Sequence, residues 1–162
     1  EAGNLPSWVR ISPNFVNFDQ LKPNEEQLAL FTFSLDKSAP VQSEQTLTFV
    51  IGNSQGEQWT KEIRISVNPP ESFELFQNFP NPFNPATTIS YQLSAYSKIL
   101  LRIYDLLGRE VATLVDEEKA AGYHREWFDA SRFSSGMYVY QLFYTDSHGN
   151  PQFLRKTMLL VK

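Results

Sequence analysis

The sequence predicts an all-β chain made of two tandem Ig-like antiparallel β-sandwich domains, and three observations carry that expectation. First, no window of a dozen residues holds apolar side chains at i, i+3, i+4 and i+7 without a break, so amphipathic helices are not indicated. Second, short runs of alternating apolar and polar residues recur at regular spacing, bounded by Gly, Pro, Asn, Asp and Ser, as in β-sandwiches. Third, "VNPPESF" (67 to 73) interrupts the series with a Pro-Pro pair that can neither donate to a ladder nor continue a strand. The 162 residues suit one ordinary domain or two small ones. With 41% hydrophobic, 14% aromatic and 20% charged residues, the chain has the composition of a folded, aromatic-rich protein.

In the first part the expected strands are "WVRIS" (8 to 12), "NFVNF" (14 to 18), "QLALFTFSL" (27 to 35), "QTLTFVIG" (45 to 52) and "QWTKEIRISV" (58 to 67). In the third of these, Ala29, Phe31, Phe33 and Leu35 share one face and form the expected inward set, with Leu28, Leu30 and Thr32 on the other. Two leucines on that second face suggest partial cover there too. The Pro-Pro pair sets the domain boundary, giving domains 1–70 and 71–162, each near the small end of what folds on its own core. Neither domain repeats the other.

In the second part the alternation is cleaner. "TTISYQL" places Ile89, Tyr91 and Leu93 on one face, "KILLRIYD" places Ile99, Leu101 and Ile103 on one face, and "GMYVYQLFYTD" alternates Met137, Val139, Gln141 and Phe143 with Tyr138, Tyr140, Leu142 and Tyr144. "REVATLVD", "GYHREWFDA" and "QFLRKTMLLVK" supply three more strands, and "AYS", "LLG", "DEEKAAG", "RFSSG" and "DSHGNP" read as turns. The proline run "NFPNPFNP" (78 to 85) reads as an ordered doorway to "TTISYQL", with Phe83 as an apolar peg between Asn81 and Asn84. The flexible joint is expected earlier, at "NPPES". In "RFSSGMYVY", Gly136 two residues before Tyr138 matches the corner of Greek-key sandwiches where a tyrosine hydroxyl bonds back to upstream backbone.

Most chemistry is excluded by what the chain lacks or scatters. A net charge of −4 with dispersed basic residues gives no footprint for nucleic acid. No apolar run reaches the length of a membrane helix, and nothing at the start reads as a basic region followed by an apolar core and a cleavage site. The abrupt "EAGNLPSW" reads as a cut from something longer. With no cysteine, disulfides, thiolate catalysis and cysteine zinc sites are out. Two histidines, His124 in a strand and His148 in a turn, rule out a three-histidine metal centre, and no HExxH occurs. No G-x-S-x-G is present, and two small sandwiches offer little room for the cleft of a glycosidase. No catalytic residue and no cofactor are therefore assigned. Asp116, Glu117 and Glu118 gather in the "DEEK" stretch and are weak calcium candidates, but three adjacent acids in a hairpin loop are more often a solvated tip. Trp8, Trp59 and Trp127 are candidates for a sugar-stacking platform, as in a carbohydrate-binding or adhesion module, although a Trp in an alternating strand is more often core.

Four ordered motifs in the second domain carry a family resemblance: "FPNPFNPATTISYQL", "LRIYDLLGREVATLV", "AGYHREWFDASRFSSGMYVYQL" and "FLRKTMLLVK". Over nearly its whole length the domain resembles the C-terminal sorting domain (type A) of proteins exported by the type IX secretion system of Bacteroidetes and related bacteria. The resemblance implies a non-catalytic Ig-like sandwich recognised by that machinery in the periplasm. It further implies removal by a sortase-like cysteine peptidase after outer-membrane translocation, with the cargo left secreted or at the cell surface. The family's marks fall on Pro80, Asn81, Pro82 and Phe83, on Gly108 and Arg109, on Gly136 and Tyr138, and on Lys156 and Lys162. If the closing stretch forms an edge strand, Lys156 and Lys162 share a face with Met158 and Leu160 between them. Edge lysines also simply deter aggregation. Ig-like domains of flagellar hook-capping proteins are similar in "NPFNP" and "YDLLGREV", a structural alternative. The first domain resembles, more loosely, Ig-like spacers of secreted hydrolases, through "LKPNEEQLALFTFSL" and "QWTKEIRISV". The implied partners are the secretion machinery, the sortase-like peptidase and an upstream cargo domain, with the chain itself a monomer.

Overall fold

A computed structural model describes residues 5–18, 22, 25–37, 39–41, 44–146 and 148–162. Residues 1–4 of the abrupt start, parts of the 21–35 stretch and residue 147 of the last turn lie outside them. The described residues contain no helix, so the all-β expectation holds. The chain divides into two compact units, Glu1–Asn68 and Pro69–Lys162.

In the first unit β1 (Val9–Ser12) pairs antiparallel with β2 (Thr32–Leu35), and β3 (Glu44–Gly52) with β4 (Gln58–Ser66). Residues 14–18 form no strand, and the third expected strand is confined to its last four residues. The inward set fails here. Phe33 and Leu35 are exposed, and Phe31 precedes the strand and packs its ring 5.0 Å from Phe49. A two-stranded ribbon covers neither of its own faces, so alternation in β2 does not translate into burial. Val9, Ala39 and Leu47 are the buried apolar residues of this unit among those described.

The second unit is a sandwich of two antiparallel sheets. β5 (Glu74–Leu75), β6 (Ala86–Leu93) and β9 (Gly122–Asp129) form the smaller, in the order β5-β6-β9. The larger has the order β11-β10-β7-β8, from β7 (Ser97–Tyr104), β8 (Glu110–Lys119), β10 (Gly136–Thr145) and β11 (Pro151–Leu160). Period-two alternation places Ile89, Tyr91 and Leu93 from one sheet against Ile99, Leu101 and Ile103 from the other, all fully buried. On β10 it is the Tyr138, Tyr140 and Leu142 face that turns inward, joined by Met158 and Leu160 of β11.

Buried tyrosines must place their hydroxyls, and these do. Tyr91 donates to Glu126 Oε1 (3.1 Å), which also receives Lys119 Nζ at 3.2 Å where the chain crosses from β8 to β9. Tyr138 donates to the Ser134 carbonyl at 2.8 Å, four residues upstream, which is the corner geometry. Tyr140 accepts from Asn78 N and donates to Phe76 O, both at 2.9 Å, and so ties the larger sheet to the loop leaving β5. Burial pushes its hydroxyl up to about 12.

Tyr140→Phe should cost about 2 kcal/mol, read as a lower urea midpoint, because it strands a buried donor and a buried acceptor. The unfolded phenol titrates near 10 and the folded one near 12. Below pH 10 both states keep the proton and the contribution is whole; it is lost as pH rises through the folded value. The stability gap between wild type and Tyr140→Phe should therefore narrow between pH 10 and 12.

Candidate functional site

The proline run leaves β5 in the small sheet, visits the edge of β11 in the large one and returns to β6. Its shape is set from inside by Asn78, which is 2% exposed. Besides its bond to Tyr140, Asn78 donates through Nδ2 to Pro80 O (3.0 Å) and Thr87 Oγ1 (2.9 Å), and Thr87 Oγ1 donates to the same Pro80 carbonyl at 2.8 Å. The Phe79-Pro80, Asn81-Pro82 and Asn84-Pro85 peptide bonds are cis. Main-chain bonds between Phe79 and Thr88, 3.0 Å in each direction, close the loop at its base.

From that base, Asn81 and Phe83 reach the last strand. Asn81 Oδ1 accepts from Leu159 N at 2.9 Å. Phe83 N donates to Leu159 O and Phe83 O accepts from Val161 N, both at 3.0 Å, so Phe83 forms a parallel bridge alongside Leu160. The Phe83 ring is 3% exposed and packs 6.2 Å from Phe128, between the two sheets. The peg expected from the sequence is therefore a clamp: its side chain lies in the core while its backbone extends the large sheet by one short rung.

The other marked residues gather around the same end. Gly136, at φ 153, opens β10 opposite Leu160, and Tyr138 sits opposite Met158. Lys162 donates from its backbone to Ser135 Oγ (3.0 Å) and from Nζ to Ser131 O (2.7 Å), latching the segment that holds the tyrosine corner. Asp129, which receives both the hydroxyl and the amide of Ser131, is held below the usual carboxylate range by those two bonds and, more weakly, by the charges of Arg132 and Lys162. Gly108, at φ 76, completes the turn between β7 and β8, where a side chain would be strained. Asp105 organises this turn by accepting from Leu107 N (2.9 Å), Arg109 N (3.0 Å) and Arg109 Nε (2.7 Å). These bonds hold its carboxyl below the ordinary range. The turn projects Leu106 and Leu107, 67% and 78% exposed, into solvent. Because Tyr104 pairs with Val139, the turn stands at the Gly136 end of the sheet.

Lys156 does not join this group. It lies half-buried mid-strand opposite Tyr140, on the inward face that Met158 and Leu160 occupy more deeply, and β11 ends before Lys162. Lys156 thus shares a face with Met158 and Leu160, as the even spacing expects, while Lys162 lies past the end of the strand. Asn78 and Thr87 were missed. The parity of "TTISYQL" already puts Thr87 on the face of Ile89, Tyr91 and Leu93, and a hydroxyl there needs a partner.

The calcium candidates are not a loop tip. β8 runs on to Lys119, so Asp116, Glu117 and Glu118 are rungs paired with Leu100, Ile99 and Lys98. Asp116 binds Lys98 Nζ at 2.7 Å, Glu117 binds Lys119 Nζ at 2.8 Å, and Glu118 accepts from the Tyr96 hydroxyl. Alternation turns Glu117 away from its neighbours, and cross-strand pairing keeps the acids in the ladder. Among the described residues no group of three His, Asp or Glu could hold a metal ion. His124 Nε2 lies 2.8 Å from Ala120 O and its ring stacks on Tyr91, and His148 donates its amide to Asp146. Trp59 and Trp127 face outward and Trp8 is half-buried, contrary to the expectation of core packing, because alternation alone does not say which face is covered.

Residues 77–152 match the family described as the secretion system C-terminal sorting domain. The second unit carries a type IX secretion sorting domain. Domains of this family are non-catalytic and mark proteins that the type IX system secretes or attaches to the surface. The matched stretch contains the proline run, the Asp105 turn and the tyrosine corner, while the clamp's partners Leu159 and Val161, and Lys156 and Lys162, lie beyond it. No curated protein matches the chain. Among solved structures, dimeric latent PorU from Porphyromonas gingivalis is similar with a TM-score of 0.47 and 15% identity, over 81% of this chain and 13% of that one.

Phe83→Ala in the sorting domain should cost about 3–5 kcal/mol, as expected for a buried Phe. Asn81→Ala should cost about 1 kcal/mol and speed hydrogen exchange at the Leu159 amide while leaving the Tyr140 amide slow. Equal exchange at Leu159 in both proteins would show that the clamp does not hold that edge.

Proposed function

We propose that residues 71–162 act as a folded sorting signal, read by the type IX machinery once the protein is in the periplasm, and that residues 1–70 are an Ig-like spacer between this signal and an upstream cargo. The observation that carries the reading is the clamp of Asn81 and Phe83 on Leu159 and Val161. It brings two of the motifs behind the resemblance, far apart in sequence, onto one end of the sandwich, beside the tyrosine corner and the exposed leucines of the Asp105 turn. A signal hidden in a folded domain has to be shown on loops and edges, and this end consists of them. The later steps, removal by a sortase-like peptidase and attachment of the cargo at the cell surface, come to this reading from the resemblance. A periplasmic reporter fused to residues 69–162 should reach the medium or the surface of a host that has the type IX system. The Leu106→Ser, Leu107→Ser double variant, whose side chains are solvent-exposed, should stay folded and be retained. Retention of the unmodified fusion, with its sorting domain shown to be folded, would sink the proposal.

A second reading has its own support. On the outer face of the small sheet Phe79 (81% exposed) and Trp127 (67% exposed) flank Thr88 across neighbouring strands, with Tyr123 further along β9. Flat aromatic faces with a hydroxyl between them suit stacking on a sugar chain. Saturable binding of a soluble glucan that drops at least tenfold in Trp127→Ala would favour a carbohydrate-binding module, and failure to bind any glycan in a broad screen counts against it.

A further inference from the structure

β11 is an outer strand of the large sheet, and its free side is covered for only half its length. Going back from Lys162, the outward backbone groups are met one by one. Val161 N and Leu159 O bond Phe83, Leu159 N bonds Asn81 Oδ1, and Thr157 O accepts from Gln77 Nε2 at 2.7 Å. There the cover ends. The register of β11 on β10 is unbroken from Gly136↔Leu160 to Thr145↔Pro151, so the period of two turns the backbone N–H and C=O of Arg155 and Phe153 to the same free side. Neither residue's edge groups find a partner among the described residues.

Two cations, Arg155 and Lys156, lie in this open half. Arg155 and Lys156 have no ion-pair partner among the described residues, whereas Lys98, Arg102, Arg109 and Lys119 are all paired. A hollow of about 470 Å³ lies where the cover stops, lined by Gln77, Val139, Arg155, Lys156 and Thr157. A second, of about 360 Å³, continues from Val139 and Arg155 past Gln141 to Tyr104. Across that second hollow Gln141 pairs with both Arg155 and Arg102, and Arg102 Nε is buried without a partner.

We infer that the open edge of β11 at Phe153–Arg155 is a docking site for an acidic extended peptide of a partner protein, which adds as a further strand and sets carboxylates on its outward face against Arg155. Strand addition supplies main-chain hydrogen bonds and leaves alternate side chains to give selectivity. The unpaired edge favours a peptide over an anionic polysaccharide, which would meet the cations but leave the amides unsatisfied. The cation also fixes the sign of the partner, since a neutral strand would gain only the main-chain bonds and a basic one would be repelled. This site lies away from the clamp and does not depend on the sorting reading.

The test uses the full 162-residue chain and a labelled ten-residue peptide of alternating glutamate and threonine. The peptide should bind saturably and slow hydrogen exchange at the amides of Phe153 and Arg155. Arg155→Glu should weaken binding at least tenfold. Phe153→Pro, which removes an edge donor and the ring contact with Phe143 but no main-chain bond to β10 and no charge, should weaken it several-fold, and Phe153→Ala, which removes the ring and keeps the donor, should not. These substitutions fall on exposed positions, and an unchanged melting temperature would confirm that they act locally. The idea is overturned by absence of binding, by equal binding of a lysine-threonine peptide, or by undiminished binding of a glutamate-threonine peptide N-methylated at alternate residues. Dextran sulfate binding that Arg155→Glu abolishes and Phe153→Pro leaves untouched, with the peptide behaving likewise, would show a polyanion surface and equally overturn it.

Discussion

The second unit depends on one residue that belongs to both sheets. Phe83 contributes its ring to the space between them and its backbone to the edge of the larger, so the loop from β5 to β6 cannot move without disturbing the core. Asn78 holds that loop from below through Tyr140, Thr87 and Pro80, and Asn81 holds it from the side. A stretch with so many prolines has few backbone donors to offer, and the fold answers by using side-chain amides at 78 and 81 and the remaining main-chain groups of Phe79 and Phe83.

The strands of the second unit were legible because both sheets bury one face against the other, and a covered face writes itself into the sequence with period two. Ile89, Tyr91 and Leu93 show this most plainly. The same rule misled in the first unit, where β2 has the alternation but no second layer among the described residues. It also failed for Asp116 to Glu118. A run of charge looks like solvent, yet Lys98, Tyr96 and Lys119 stand where each acid needs a partner. Those partners are known only once the hairpin register is known, and two bulges in β7 and β8 shift it.

The candidate site was legible as motifs and not as a site. Pro80 to Phe83, Gly136, Tyr138 and Lys162 could each be picked from the chain, but their meeting rests on contacts across 27 to 78 residues of sequence. No local pattern encodes such distances. Asn78 was overlooked because a polar residue beside prolines reads as turn chemistry, while its burial follows from Tyr140, 62 residues away. For Lys156 the parity with Met158 and Leu160 was legible, but that this face turns toward the core is known only from the packing of the two sheets.

The corner latched by Lys162 also has a temporal meaning. Its parts are made at different moments of synthesis: the proline run first, the tyrosine corner later and β11 later still. None of the surface they share exists until Leu159 and Val161 have been threaded beside Phe83. A chain that stalls before β11, is clipped within it or misplaces it leaves this corner unassembled and the ring of Phe83 without its seat. The corner therefore also reports that β11 has been made and has folded into place.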